Sequence, residues 1–96
     1  KAYQEVKNFN TLMSEKLNKA DLLQAVQAAL DGDWHASHNI AQKYNDTTAN
    51  WIHAVLHKIE GDVWNSNYWY AKTAGKKFED FSDAGEELKA IQKSLM

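Results

Sequence analysis

The two Gly-Asp pairs at residues 32–33 and 61–62 are the feature that most constrains the fold of this chain. Glycine accepts the left-handed backbone conformation that ends a helix, and aspartate offers a side-chain oxygen to the first amides of the next helix. Each pair therefore predicts a tight turn between two helices. The pairs are 29 residues apart, which places Ser37 opposite Ser66 in a weak internal repeat of two helical hairpins.

Helical periodicity extends along the whole chain. The chain contains no proline, and its apolar residues recur at steps of three and four, as they do on the buried face of a helix. Caps and stops divide this pattern into six predicted helices. They are a first helix with an apolar stripe at Ala2, Val6, Phe9, Met13 and Leu17, a second from a cap at Asn18 and Asp21 to Gly32, and then 33–44, 47–60, 62–74 and 83–95.

Composition narrows the classes of partner. The 13 acidic residues nearly balance the 11 basic ones, and no basic block is present, so we expect neither nucleic acid nor a membrane surface as a partner. The absence of cysteine excludes disulfides and thiolate ligands and fits a reducing compartment. We therefore expect a cytoplasmic protein. The adjacent carboxylates of Glu86 and Glu87 are expected to be solvated charges.

Two histidines and a glutamate share one strip of the fourth predicted helix. At 100° per residue, His53, His57 and Glu60 lie at the edge of its apolar stripe. Imidazoles at positions i and i+4 can bind one divalent metal, and His38 on the preceding helix is the most suitable further ligand. The alternative is that these histidines only donate hydrogen bonds at the boundary of the core.

The fifth predicted helix is unusually rich in aromatic residues. Trp64 and Tyr68 share one side of this helix, and Trp69 lies on nearly another, so these rings cannot all contact one neighbouring helix. Either several helices surround this one, or some of its aromatic rings form a binding surface.

The segment LHKIEGDVWNSNYWYAKTAG resembles the helix-turn-helix units of tetratricopeptide and Sel1-like repeats, and the resemblance covers residues 50–75. It is also similar to a pattern in short uncharacterised bacterial proteins, through the residues Trp51, His53, His57, Glu60, Gly61, Asp62, Tyr68, Trp69 and Tyr70. The resemblance implies helical-hairpin packing and no particular activity. We predict one all-α domain over residues 1–96, a tetratricopeptide-like bundle of two consecutive antiparallel helical hairpins with flanking N- and C-terminal helices.

For function, the sequence favours a small non-catalytic interaction or scaffolding module without a cofactor, which binds a protein or peptide or a second copy of itself. Its predicted binding residues are His53, His57, Glu60, Trp64, Tyr68 and Trp69. The alternative is a metal-binding protein or metal-dependent hydrolase, which would hold a divalent metal such as zinc. The metal ligands would then be His38, His53, His57 and Glu60. No residue is assigned a catalytic role.

Overall fold

Five α-helices and one short 3-10 helix form the chain in the computed structural model, which describes the backbone of residues 2–96 and the side chains of residues 15–96. The all-α prediction is confirmed, and no strand occurs within the described backbone. None of these helices has an apolar stretch long enough to cross a membrane, as far as the chain is described. The elements are α1 (Ala2–Leu30), α2 (Trp34–Ala41), α3 (Thr47–Ile59), α4 (Val63–Tyr70), the 3-10 helix (Phe78–Asp80) and α5 (Ala84–Leu95).

The two Gly-Asp turns have nearly the same backbone geometry. Gly32 and Gly61 have φ angles of 86° and 81°, in the left-handed region that favours glycine. The amides of Asp33 and Asp62 donate to carbonyls five residues earlier, at 2.8 and 2.9 Å. Their carboxylates accept the amide three residues later, at 3.2 Å in both turns. The 29-residue repeat is therefore a repeat of helix-stop and helix-cap geometry.

The first two predicted helices are one continuous helix, α1, so the break predicted at Asn18 and Asp21 is wrong. Residues 14–24 contain neither glycine nor proline and are mostly good helix formers, so nothing ends the helix there. The Asp21 carboxylate instead accepts a hydrogen bond from the Tyr44 hydroxyl. Leu17, predicted to be buried, is exposed, and the other four residues of the predicted stripe lie outside the described side chains.

Both helices that follow a Gly-Asp turn are shorter than predicted. Helix α2 ends at Ala41 and α4 ends at Tyr70, where the sequence pattern predicted residues 44 and 74. In each case the amide three residues further on donates to the carbonyl of the last helical residue, at 3.2 Å after α2 and 3.1 Å after α4. A tight turn thus replaces the next helical hydrogen bond.

Helix α3 is the centre of the fold. It contacts all four other α-helices, and every residue from 49 to 56 is buried. Helix α1 packs on α2 and α3 packs on α4, while α5 covers α1 and α3. The Ser66 hydroxyl donates to the Ala54 carbonyl at 2.7 Å, and Ser37 is equally buried at the equivalent place in α2. Small side chains at these points let the paired helices approach closely.

A fully buried carboxylate joins α5 to the rest of the core. Glu87 accepts hydrogen bonds from the Trp51 indole at 2.8 Å, the Tyr70 hydroxyl at 2.6 Å and the Lys58 ammonium at 2.7 Å. The Lys58 ammonium also donates to two backbone carbonyls of the segment between α4 and α5. Burial and the Glu87 carboxylate raise the pKa of the Tyr70 hydroxyl, which stays a donor. The expectation that Glu87 is a solvated charge is therefore wrong.

Replacing Glu87 by alanine is expected to lower the free energy of unfolding by about 3–5 kcal/mol, because it leaves the Lys58 ammonium buried without its counter-ion. Equilibrium urea unfolding measures this change. The matched control is Glu86→Ala, since the Glu86 side chain is 65% exposed and its replacement should change stability by less than about 0.5 kcal/mol. Equal effects of the two substitutions would contradict this description of the core.

Candidate metal centre

Three histidines meet where α2 packs on α3. His38 comes from α2, and His53 and His57 come from successive turns of α3. The Nε2 atoms of His38 and His53 are 3.1 Å apart. One ring nitrogen from each of the three histidines lies within 4.8 Å of a ring nitrogen of the other two. The structure thus brings together the three histidines that the metal-binding alternative names. We call these residues the histidine cluster.

The spacing of these nitrogens is close to that of a metal site. In a tetrahedral site with zinc–nitrogen bonds of about 2.0–2.1 Å, two ligand nitrogens are about 3.3 Å apart. The 3.1 Å separation of His38 and His53 is near this value, and a nitrogen of His57 lies within 4.8 Å of both. Without a metal, one of the two Nε2 atoms donates a hydrogen bond to the other.

Glu60 contacts the cluster from outside. Its Oε1 is 2.6 Å from Nδ1 of His57, and the residue lies at the C-terminal cap of α3. A carboxylate that accepts the Nδ1–H proton fixes the tautomer of His57 and leaves Nε2 with its lone pair. The structure therefore places Glu60 where it orients the ring of His57.

A second group of potential ligands shares His57 with the cluster. Nitrogen of His57 and carboxylate oxygens of Glu60 and Asp62 also lie within 4.8 Å of one another. Asp62, however, caps α4: it accepts the Asn65 amide at 3.2 Å and the Asn65 side-chain amide at 2.6 Å. These hydrogen bonds lower the pKa of Asp62. Its position is thus explained by the turn.

Two tryptophans pack against the rings of the cluster. The Trp69 ring stacks on His53, with centroids 3.9 Å apart and planes at 11°. The Trp34 ring stacks on His38 at 4.8 Å and 9°, and its indole donates to the Leu56 carbonyl at 2.7 Å. Trp69 was among the predicted binding residues and Trp34 was not. Trp34 and His38 are four residues apart and so lie on the same face of one helix, and this spacing could have indicated that their rings meet.

Burial keeps two of the imidazoles neutral. Desolvation, together with smaller effects of the neighbouring His38 and His57, lowers the pKa of His53 from its ordinary value of 6.5 to about 4. Desolvation, followed by the charge of His57, also lowers the pKa of His38. At neutral pH these rings therefore have lone pairs available for a metal, which requires unprotonated imidazole.

The remaining predicted binding residues lie on α4, beside the cluster. The Trp64 side chain is 74% exposed and Tyr68 is 46% exposed, and their rings are parallel with centroids 5.9 Å apart. Tyr68 also meets the edge of Trp69, at 5.3 Å. Val63, the residue before Trp64, is also exposed. We call Val63, Trp64 and Tyr68 the aromatic patch.

Comparison with known protein families, with curated proteins and with solved structures finds no match. Three imidazoles, one of them in contact with a carboxylate, form a set of nitrogen donors suited to a transition metal.

The depressed histidine pKa values predict how stability depends on pH when a chelator keeps metal away. Between pH 6.5 and about 4 the unfolded chain binds protons that the folded chain excludes from His53, so the free energy of unfolding falls as the pH falls through this range. Urea unfolding at a series of pH values should show this decrease. His53→Gln should reduce the slope, whereas replacing the exposed His35 by glutamine should leave it unchanged. Identical slopes in all three proteins would contradict the burial of His53.

Proposed function

We propose that this protein binds one divalent transition metal through His38, His53 and His57. The observation that carries the proposal is the meeting of three imidazole nitrogens from two helices within 4.8 Å. A hydrogen bond joins His38 to His53, and Glu60 pairs with His57, but neither contact explains why all three rings meet. A shared metal ion accounts for all three.

The donor set favours zinc and related ions. Imidazole nitrogen binds zinc, copper, nickel and cobalt, whereas magnesium and calcium prefer oxygen ligands. Glu60 supports the ligand His57 in the way that outer carboxylates support metal-bound histidines in many sites. A metal would also join the two helical pairs, because His38 belongs to the first and His53 and His57 belong to the second. We place this function in the cytoplasm, because a chain without cysteine gains no stability from an oxidising compartment.

Zinc titration by isothermal calorimetry should give one site per chain. Alanine at His38, His53 or His57 should weaken binding more than Glu60→Gln does, and the glutamine variant should weaken it roughly 10–100-fold, as expected when an outer carboxylate is lost. The control is His35→Ala on the exposed side of α2, which should bind zinc like the unmodified chain. Equal affinities for the unmodified chain and the three ligand variants would refute the proposal.

A second candidate function rests on a different observation, the exposure of the aromatic patch. Exposed tryptophan and tyrosine are the side chains most enriched at the centres of protein interfaces. Residues 63–70 include no Asp, Glu, Lys or Arg, so two copies of α4 can meet without repulsion between like charges. We therefore propose that a second copy of the chain packs on the patch, and that the paired helices form a tetratricopeptide-like interaction module.

Sedimentation equilibrium tests this pairing. The unmodified chain should form a dimer, and Trp64→Glu should make it a monomer because it places a charge in the interface. Leu17→Glu is the matched control, since Leu17 is an apolar residue with a comparable exposure of 62% on α1. A monomer at every concentration, or a dimer that survives Trp64→Glu, would rule out this use of the patch.

A further inference from the structure

We infer that the metal bound by the histidine cluster keeps one coordination position that no side chain of this protein fills, and that water and small anions take it. This inference rests on the proposed metal binding. Zinc in proteins is usually four-coordinate, and sites with three protein ligands hold an exchangeable molecule in the fourth position. Whether the position is open thus depends on the groups near the cluster that could provide a fourth donor.

Among the described side chains, Glu60 and Asp62 are the two carboxylates grouped with a histidine of the cluster. Each already has a partner. Glu60 is 2.6 Å from Nδ1 of His57, and it does not belong to the group that His38, His53 and His57 form. Asp62 would have to give up its two hydrogen bonds with Asn65, one of which caps α4.

The aromatic rings beside the cluster provide no fourth ligand where they lie. Trp34 and Trp69 stack on two of the imidazoles, and an indole offers a hydrogen-bond donor but no lone pair for a metal. The ring of His35 packs edge-on against Trp34, and its side chain is exposed. The group of potential ligands is therefore three imidazoles without a carboxylate, and neutral imidazole ligands do not themselves balance the charge of a divalent ion.

Charge and access together define the class of the fourth ligand. An ion with two positive charges and neutral ligands attracts anions and lowers the pKa of a bound water to about 7. His38 and His57 are only partly buried, so solvent reaches the cluster on their side, while His53 is 7% exposed beneath Trp69. Small ligands such as water, hydroxide, azide or a single carboxylate group fit this description.

Cobalt substitution provides the test, because the visible absorption of Co²⁺ depends on its coordination number and ligands. The full chain is loaded with one equivalent of Co²⁺ and then titrated with azide at constant pH. A saturable change in the visible spectrum is expected, because azide replaces a bound water. The same change should occur in His35→Ala, which retains the three ligands.

The possible results separate this inference from the proposed function. A chain that binds Co²⁺ but shows no spectral response to azide has a filled fourth position, and this overturns the inference while metal binding stands. Azide sensitivity that appears only in Asp62→Asn or Glu60→Gln would have the same meaning and would identify the carboxylate that fills the position. A chain that binds no Co²⁺ refutes both proposals.

Discussion

The burial of α3 on all sides is the constraint on which the other features of this protein depend. A helix surrounded by four others has little freedom to rotate or shift, because its side chains interdigitate with those of every neighbour. Polar groups on such a helix must find partners inside the protein or lie at its edge. The sequence of α3 provides polar groups on two of its sides, and the groups on each side contact a different part of the protein.

On one side, Trp51 and Lys58 donate hydrogen bonds to the buried carboxylate of Glu87. This network fixes α5 against α3 and holds the segment between α4 and α5 through backbone carbonyls. On the other side, His53 and His57 meet His38 from α2. The first network is fully paired within the chain. In the second, nitrogens of three imidazoles from two helices lie within 4.8 Å of one another, and this arrangement supports the proposed metal.

The sequence predicts the local features of this fold well. Gly32 and Gly61 with their following aspartates are strong signals because a left-handed backbone angle and a cap are both properties of adjacent residues. The spacing of His53, His57 and Glu60 likewise follows from the pitch of one helix. The continuity of α1 was not predicted, because Asn18 and Asp21 suit a cap equally well in an isolated segment.

Contacts between distant segments were harder to predict. Nothing near Glu87 in the sequence indicates that Trp51, Lys58 and Tyr70 surround it, and the pairing becomes visible only once α5 lies against α3. The approach of His38 to His53 depends on how α2 packs on α3, which the pattern of one helix does not specify. The exposure of Trp64 depends in the same way on which helices cover α4.

We propose that the packing of α2 on α3 builds one metal site from three imidazoles. Diffraction from a crystal of the zinc-loaded protein, measured on both sides of the zinc absorption edge, locates the metal. We expect a single anomalous peak about 2.0–2.1 Å from one nitrogen each of His38, His53 and His57. A peak held by Glu60 and Asp62 instead, or no peak between α2 and α3, would contradict it.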